Sequence, residues 1–245
     1  MRKEYTVDKT VLLSDCDYSG RLSITGILDI FMDIATLHED ELGFSAMYMK
    51  ERGLYWIIGK NRIHILRRPE MMEKISVRSW PLKPSRLYGN REYLLESESG
   101  EPLIYGETEW LVANEGLEKL MDVRLYHPEG MSFETRELFD SKMKRVSKEF
   151  APGQKLGTYT VRPTDIDFVG HMNNAAYSRA ILSFIPIREL KGKEIEDVEI
   201  FYGLQCMEGD ELSICKRDAE DGNEYGAFLP DGRNVVTARI TFKES

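Results

Sequence analysis

The chain has 245 residues, 42% of them hydrophobic, enough to build a core in one large domain or two modest ones. A formal charge of −9 argues against a general nucleic-acid binder, which needs a basic face to neutralise phosphates. No run approaches the roughly 18 apolar residues of a membrane helix, and Met1-Arg-Lys-Glu-Tyr5 opens no secretory signal, so a soluble, cytoplasmic protein is expected.

The first informative stretch is Ser14-Asp-Cys-Asp-Tyr-Ser-Gly-Arg-Leu-Ser23, a polar, glycine-containing loop. After it, Ile27, Leu28, Phe31, Met32, Ile34, Ala35 and Leu42 fall at helical spacing, so a long buried helix is expected over Thr25 to Leu42, stopped by Gly43. Four β-branched and aromatic segments follow: Leu54 to Leu66, Lys74 to Leu82, Tyr88 to Ser97 and Leu103 to Asn114. They read as successive strands of an antiparallel sheet. The stretch from Tyr126 to Gly157 is irregular and carries Pro128, Gly130, Pro152 and Gly153. It reads as a linker, with a short helix around Glu134 to Lys148.

The second half repeats the plan. Thr164-Asp-Ile-Asp-Phe-Val-Gly-His-Met-Asn-Asn-Ala-Ala-Tyr177 carries Asp-x-Asp-aromatic-x-Gly in register with the first loop. A shorter helix is expected from Ala175 to Ile185, with Asn174 as its N-cap and Pro186 at its end. Strands follow at Glu196 to Gln205, Glu211 to Lys216, Glu224 to Leu229 and Asn234 to Phe242, with Asp221-Gly222 and Asp231-Gly232 as hairpin turns. Glu73 to Val77 and Asp210 to Ile214 occupy equivalent places in the two halves.

Loop, helix and four strands, twice over, make an α+β tandem double hotdog, each repeat a long helix wrapped by a curved antiparallel sheet. The repeats are expected at 1–125 and 158–245, joined by a linker at 126–157. The two loops differ in chemistry. Arg21 stands where the second has His171, and Ser23 and Ile24 where it has Asn173 and Asn174, so acid/base equipment is confined to the C-terminal repeat. Cys16, Cys206 and Cys215 are too widely spaced for a disulfide framework or a paired metal motif, and no metal or cofactor is expected. Arg62, Arg67 and Arg68, or Lys142, Lys144, Arg145 and Lys148, could form a basic dock for an acidic partner, or simply solvated faces. His38, His64 and His127 lack motif neighbours and read as structural. Trp56, Trp80 and Trp110 read as core.

The whole chain resembles the acyl-acyl carrier protein thioesterases of bacteria and plants. The second loop matches the family pattern Asp-x-Asp-x-Asn-x-His-[Val/Met]-Asn-Asn-x-x-Tyr at Asp165, Asp167, His171, Met172, Asn173, Asn174 and Tyr177. Leu54-Tyr-Trp-Ile-Ile-Gly-Lys-Asn-Arg-Ile63 and Tyr202-Gly-Leu-Gln-Cys206 also resemble family segments. Val169 stands where the family has Asn, and Gln205 where it has Glu. The resemblance implies hydrolysis of fatty acyl thioesters carried on the phosphopantetheine of acyl carrier protein; charge and hydropathy lead to no expected nucleic-acid or membrane partner. It also implies that the acyl chain is held largely by the N-terminal repeat. Monomer and homodimer are both compatible with a tandem fold.

Thioester hydrolysis needs a directed water and donors for the developing oxyanion. Asp167, beside His171, would orient the imidazole. His171 would hydrogen-bond the thioester or relay a proton, since imidazole ordinarily titrates near about 6.5. Asp165, Asn173 and Asn174 would bind or orient substrate, or pin the loop and cap the helix. Gln205 can orient a water without taking its proton, so a base role played by the family's Glu would move to Asp167 or be lost. Cys206 is an alternative nucleophile, ranked below direct water attack. Rival readings are an acyl-coenzyme A thioesterase and a non-catalytic acyl-binding protein, with a dehydratase behind both.

Overall fold

The computed structural model describes residues 2–116, 119–141, 153–219 and 222–243. The chain divides into two compact units, Met1–Lys142 and Met143–Ser245. In the first, β1 (Tyr5–Thr10) leads through a 3-10 turn at Leu13–Asp15 into α1 (Ile24–Leu42) and a short α2 (Ala46–Lys50). Then come β2 (Leu54–Ile65), β3 (Lys74–Pro81), β4 (Gly89–Ser97) and β5 (Pro102–Asn114). The strands pair antiparallel in the order β1-β3-β4-β5-β2.

Helix α1 starts where Ser23 Oγ accepts the Gly26 N–H at 2.9 Å, and ends at Gly43, whose φ of 82° suits only glycine without strain. Its stripe of Ile24, Ile27, Leu28, Phe31, Ile34 and Ala35 is buried. The sheet makes room with a glycine. A Cβ at Gly106 would lie 2.1 Å from the Phe31 ring, which stacks on Tyr93 at 4.1 Å.

The second unit runs β6 (Gln154–Thr160), a 3-10 turn at Pro163–Asp165, α3 (Asn174–Leu182), α4 (Ile187–Leu190), β7 (Ile195–Tyr202), β8 (Glu211–Ala219), β9 (Gly222–Phe228) and β10 (Asn234–Phe242). Its antiparallel order is β7-β10-β9-β8-β6. Counted from its own first strand, each unit therefore has the order first, third, fourth, fifth, second, which is the duplication in three dimensions.

The eight expected strands are present, with ends shifted by a few residues. Each repeat also has a first strand, β1 or β6, that the hydrophobic pattern does not announce, because neither buries a residue. β6 begins at Gln154, inside the stretch read as linker. The second helix is shorter than expected and ends at Leu182.

The region around Glu134 to Lys148, where a short helix is expected, is not helical over 134–141, and the rest lies outside the described residues, as do Lys142, Lys144, Arg145 and Lys148. Residues 134–141 instead run along the first sheet. Glu134 bridges Leu82 in parallel, Trp80 Nε1 donates to the Arg136 carbonyl at 2.9 Å, and Arg62 donates to the Ser141 carbonyl at 2.8 Å. The arginines considered as a basic dock are engaged within the fold. Arg62 lies over the Phe139 ring, Arg67 makes a two-point ion pair with Glu73, and Arg68 is buried against Asp17.

Glu92 and Glu107 face each other across β4 and β5 and are buried. Burial first, and Glu107 second, push the Glu92 carboxyl up to about 8. A carboxyl whose folded pKa lies above its unfolded value binds its proton more tightly in the folded state, so stability falls as pH rises from about 4.5 to about 8. Glu92→Gln should flatten that decline, as read by urea midpoints across the window. Gly106→Val should cost about 1–3 kcal/mol by overpacking Phe31, measured by chemical denaturation.

Candidate active site

The loop between β6 and α3 is built by two carboxylates turned on their own backbone. Asp165 is buried, and its Oδ2 accepts the Arg162 N–H at 2.8 Å and the Tyr159 hydroxyl at 2.8 Å. Asp167 Oδ1 accepts the Val169 N–H at 2.8 Å and the His171 N–H at 3.4 Å. The Asp167 N–H donates to the His171 carbonyl at 2.9 Å, and the Gly170 N–H to the Asp167 carbonyl at 3.0 Å. The turn closes at Gly170, with a φ of 92°.

The first repeat holds the same frame with no histidine in it. Asp15 Oδ2 accepts the Leu12 N–H, and Asp17 Oδ1 the Ser19 N–H, each at 2.8 Å. The Asp17 N–H donates to the Arg21 carbonyl, and the Gly20 N–H to the Asp17 carbonyl. The two Asp side chains therefore hold the turn in both copies. They are structural wherever else they act, and a sequence match to Asp-x-Asp reports this turn before it reports chemistry.

What differs is what stands on the frame. His171 replaces Arg21. Its imidazole makes no hydrogen bond among the described residues, so Asp167 holds the histidine's backbone and not its ring. The N-cap of α3 is Asn173, not Asn174: Asn173 Oδ1 accepts the Ala175 N–H at 2.8 Å, and its own N–H donates to the Asp165 carbonyl. That leaves Asn174, the first helical residue, with a side-chain amide that makes no hydrogen bond among the described residues.

A second segment, Gly203 to Asp210, abuts the loop. The Met172 N–H donates to the Cys206 carbonyl at 2.9 Å, the counterpart of Leu22 donating to Pro69 in the first repeat. By that register Gln205 stands where the first repeat has Arg68, whose guanidinium pairs with Asp17 Oδ2. In the second repeat the corresponding oxygen, Asp167 Oδ2, has no partner among the described residues. Gln205 is exposed and lines an open cleft of about 360 Å³ with Leu204, Asp210, Leu229, Pro230, Asp231 and Arg233.

Cys206 is fully buried, and burial raises its thiol pKa. That is the environment of a packed thiol, not of an activated nucleophile. His38 is buried between the Arg2 carbonyl and Arg91, and burial, then Arg91, lower its pKa to about 4, consistent with a structural histidine. Trp80 is buried, while Trp56 stands edge-on to Trp110 and His127. Among the described residues no group of three or more His, Cys, Asp and Glu side chains could hold a metal ion, and no helix is long and apolar enough to cross a membrane.

Residues 2–125 match the acyl-ACP thioesterase N-terminal domain, and residues 151–244 match the acyl-ACP thioesterase C-terminal domain. The chain belongs to the acyl-ACP thioesterase family. Among curated relatives it is 24% identical over 205 residues to an oleoyl-acyl carrier protein thioesterase of Coriandrum sativum, covering 77% of this chain and 55% of the relative. It is 23% identical over 244 residues to an acyl-[acyl-carrier-protein] hydrolase of Cuphea viscosissima, covering 90% and 58%. The chain thus spans little more than half the length of these two relatives. Solved structures of acyl-ACP thioesterases share the double-hotdog fold. One from Bacteroides thetaiotaomicron superposes with a TM-score of 0.82 at 23% identity, covering 98% of each chain. The 12:0-ACP thioesterase of Umbellularia californica gives 0.85 at 17% identity, covering 100% of this chain and 99% of that one.

One motif residue has no expected role: Tyr177, the last motif position, whose three-residue spacing from Asn174 puts both on one side of α3. If Cys206 is a packed thiol, iodoacetamide should leave it unmodified in the native protein at pH 7.5 and label it fully in denaturant, as read by peptide mass.

Proposed function

We propose that this chain hydrolyses the thioester of a fatty acyl group carried on the phosphopantetheine of an acyl carrier protein, in fatty acid biosynthesis. The observation that carries the reading is the pair of loops on one hydrogen-bonded frame, of which only the second bears a histidine and an asparagine pair. Family membership supplies the substrate class. The same reading takes the compartment to be the cytoplasm.

In this mechanism a water attacks the thioester carbon. His171, whose ring has no competing hydrogen bond among the described residues, relays a proton toward the leaving thiol. Asp167 Oδ2, the oxygen its loop does not use, takes the proton from the water. The start of α3 faces the oxyanion with the positive end of the helix dipole, and the Asn174 amide adds a donor. Asn173 and Asp165 support the loop and touch no substrate. Gln205, at the cleft, orients the water by hydrogen bonding. The acyl group goes to the hydroxyl of water, and the pantetheine sulfur leaves with a proton, so the step needs no cofactor.

Val169 and Gln205, in place of an amide and a carboxylate, favour one alternative: an acyl-binding relative that does not turn over. Thiol release from a panel of acyl-acyl carrier protein substrates separates the two, and the same acyl chains on coenzyme A test the carrier. His171→Ala should lower kcat by about 10²–10⁴, whereas Cys206→Ala should remain within a few-fold of the wild type. No release by the wild type from either carrier would overturn hydrolysis and favour the binding reading instead.

A further inference from the structure

The Tyr177 side chain is 3% exposed, and its hydroxyl uses both hydrogen-bonding roles on a single short segment. It donates to the Leu204 carbonyl at 3.3 Å and accepts the Cys206 N–H at 2.9 Å, gripping the main chain on either side of Gln205. The rest of the segment is pinned as well. The Gly203 N–H donates to the Val235 carbonyl at 2.8 Å, and the Met207 N–H to Asp210 Oδ2 at 2.8 Å. Gln205 is thus an exposed residue in a segment fixed on both flanks, at the wall of the cleft.

The first repeat shows that the fold does not require this hydroxyl. The equivalent helix position is Ile27, fully buried and without a polar atom in its side chain. The equivalent segment there, Leu66 to Pro69, is held through the Leu66 and Arg67 N–H groups, both donating to the Leu103 carbonyl, and through the Arg68 ion pair with Asp17. A tyrosine hydroxyl in place of an isoleucine is found in the repeat that has exchanged Arg68 for Gln205 and Arg21 for His171. The ring itself packs edge-on to Tyr202 at 6.1 Å, a role phenylalanine would fill equally well.

We infer that Tyr177 is a positioning residue of the hydrolytic site: its hydroxyl clamps the main chain around Gln205 and so fixes where that amide presents the attacking water. The inference rests on the hydrolytic reading above. It gives the motif's terminal tyrosine a task beyond filling the core, exerted wholly through Gln205. A clamp on a water-orienting group alters the barrier and not ground-state binding, because a small displacement of an aligned group is felt in the transition state.

The test is a double-mutant cycle on the full chain with Tyr177→Phe and Gln205→Ala, joined to amide hydrogen exchange at Cys206. Tyr177→Phe should lower kcat by about ten- to a hundredfold with KM within about twofold, and should speed exchange of the Cys206 amide. In the Gln205→Ala background the same change should lower kcat by no more than about twofold, since the group it positions is gone. Tyr177→Leu, closer to the first repeat's isoleucine, is the second variant should the phenylalanine fold poorly, and should give the same pattern. Additive losses, or unchanged exchange at Cys206, overturn the inference. Absence of thiol release by the wild type overturns the hydrolytic reading and with it the catalytic role of the clamp, whereas the exchange result by itself still reports whether the hydroxyl holds the segment.

Discussion

Aspartate carboxylates bonded to the amides of their own loop are the constraint on which the candidate site depends. Asp165 ties the loop to the end of β6 and Asp167 closes the turn that ends at Gly170, so the residues after it enter α3 at a fixed angle. The buried carboxylate of Asp165 accepts two hydrogen bonds, which offsets its removal from water. Asp15 and Asp17 do the same work in the first repeat, and α1 leaves that loop as α3 leaves this one. The two copies therefore share the frame and differ in the side chains that stand on it.

Once the frame is shared, function becomes a matter of a few substitutions on it. Arg68, buried against Asp17, makes the first loop a place of paired charge, and Arg21 stands at the position of His171. In the second, His171 stands on the loop, Gln205 lies on the wall of an open cleft, and Asp167 Oδ2 has no partner among the described residues. The two connecting segments still correspond in backbone detail. Met72 takes a φ of 70° where the second repeat has Gly209 at 88°, and each donates its N–H to the matching valine, Val11 or Val161. That a methionine keeps a conformation glycine adopts freely shows how firmly the surrounding hydrogen bonds determine the loop.

The parts of the fold that were legible in the sequence are those that bury apolar area in a period. The stripe of α1 and the four strands after each helix have such patterns, and so does the duplication, through Asp-x-Asp-aromatic-x-Gly. β1 and β6 are not legible, because Tyr5 to Thr10 and Gln154 to Thr160 contain no fully buried residue and are held by backbone pairing to β3 and β8. The N-cap was misplaced by one residue because Asn173 and Asn174 are chemically identical, and only the Asn173 bond to the Ala175 N–H tells them apart. The sequence places Asp167 beside the imidazole ring, but short carboxylates in tight turns reach the nearest amides first, as Asp167 does with Val169 and His171. Tyr177 has no polar signal in sequence, since a tyrosine on a buried helix face reads as core until its hydroxyl is seen between Leu204 and Cys206.

Both repeats share one loop frame, and the proposed hydrolysis rests on what stands on the second. The most direct measurement is thiol release by His171→Arg, which puts the first repeat's own residue on the second repeat's turn. This variant should melt within a degree or two of the wild type, keep the amide protection of its loop, and release no thiol. Release near the wild-type rate by a folded His171→Arg would contradict that assignment, and would place the chemistry elsewhere in the molecule.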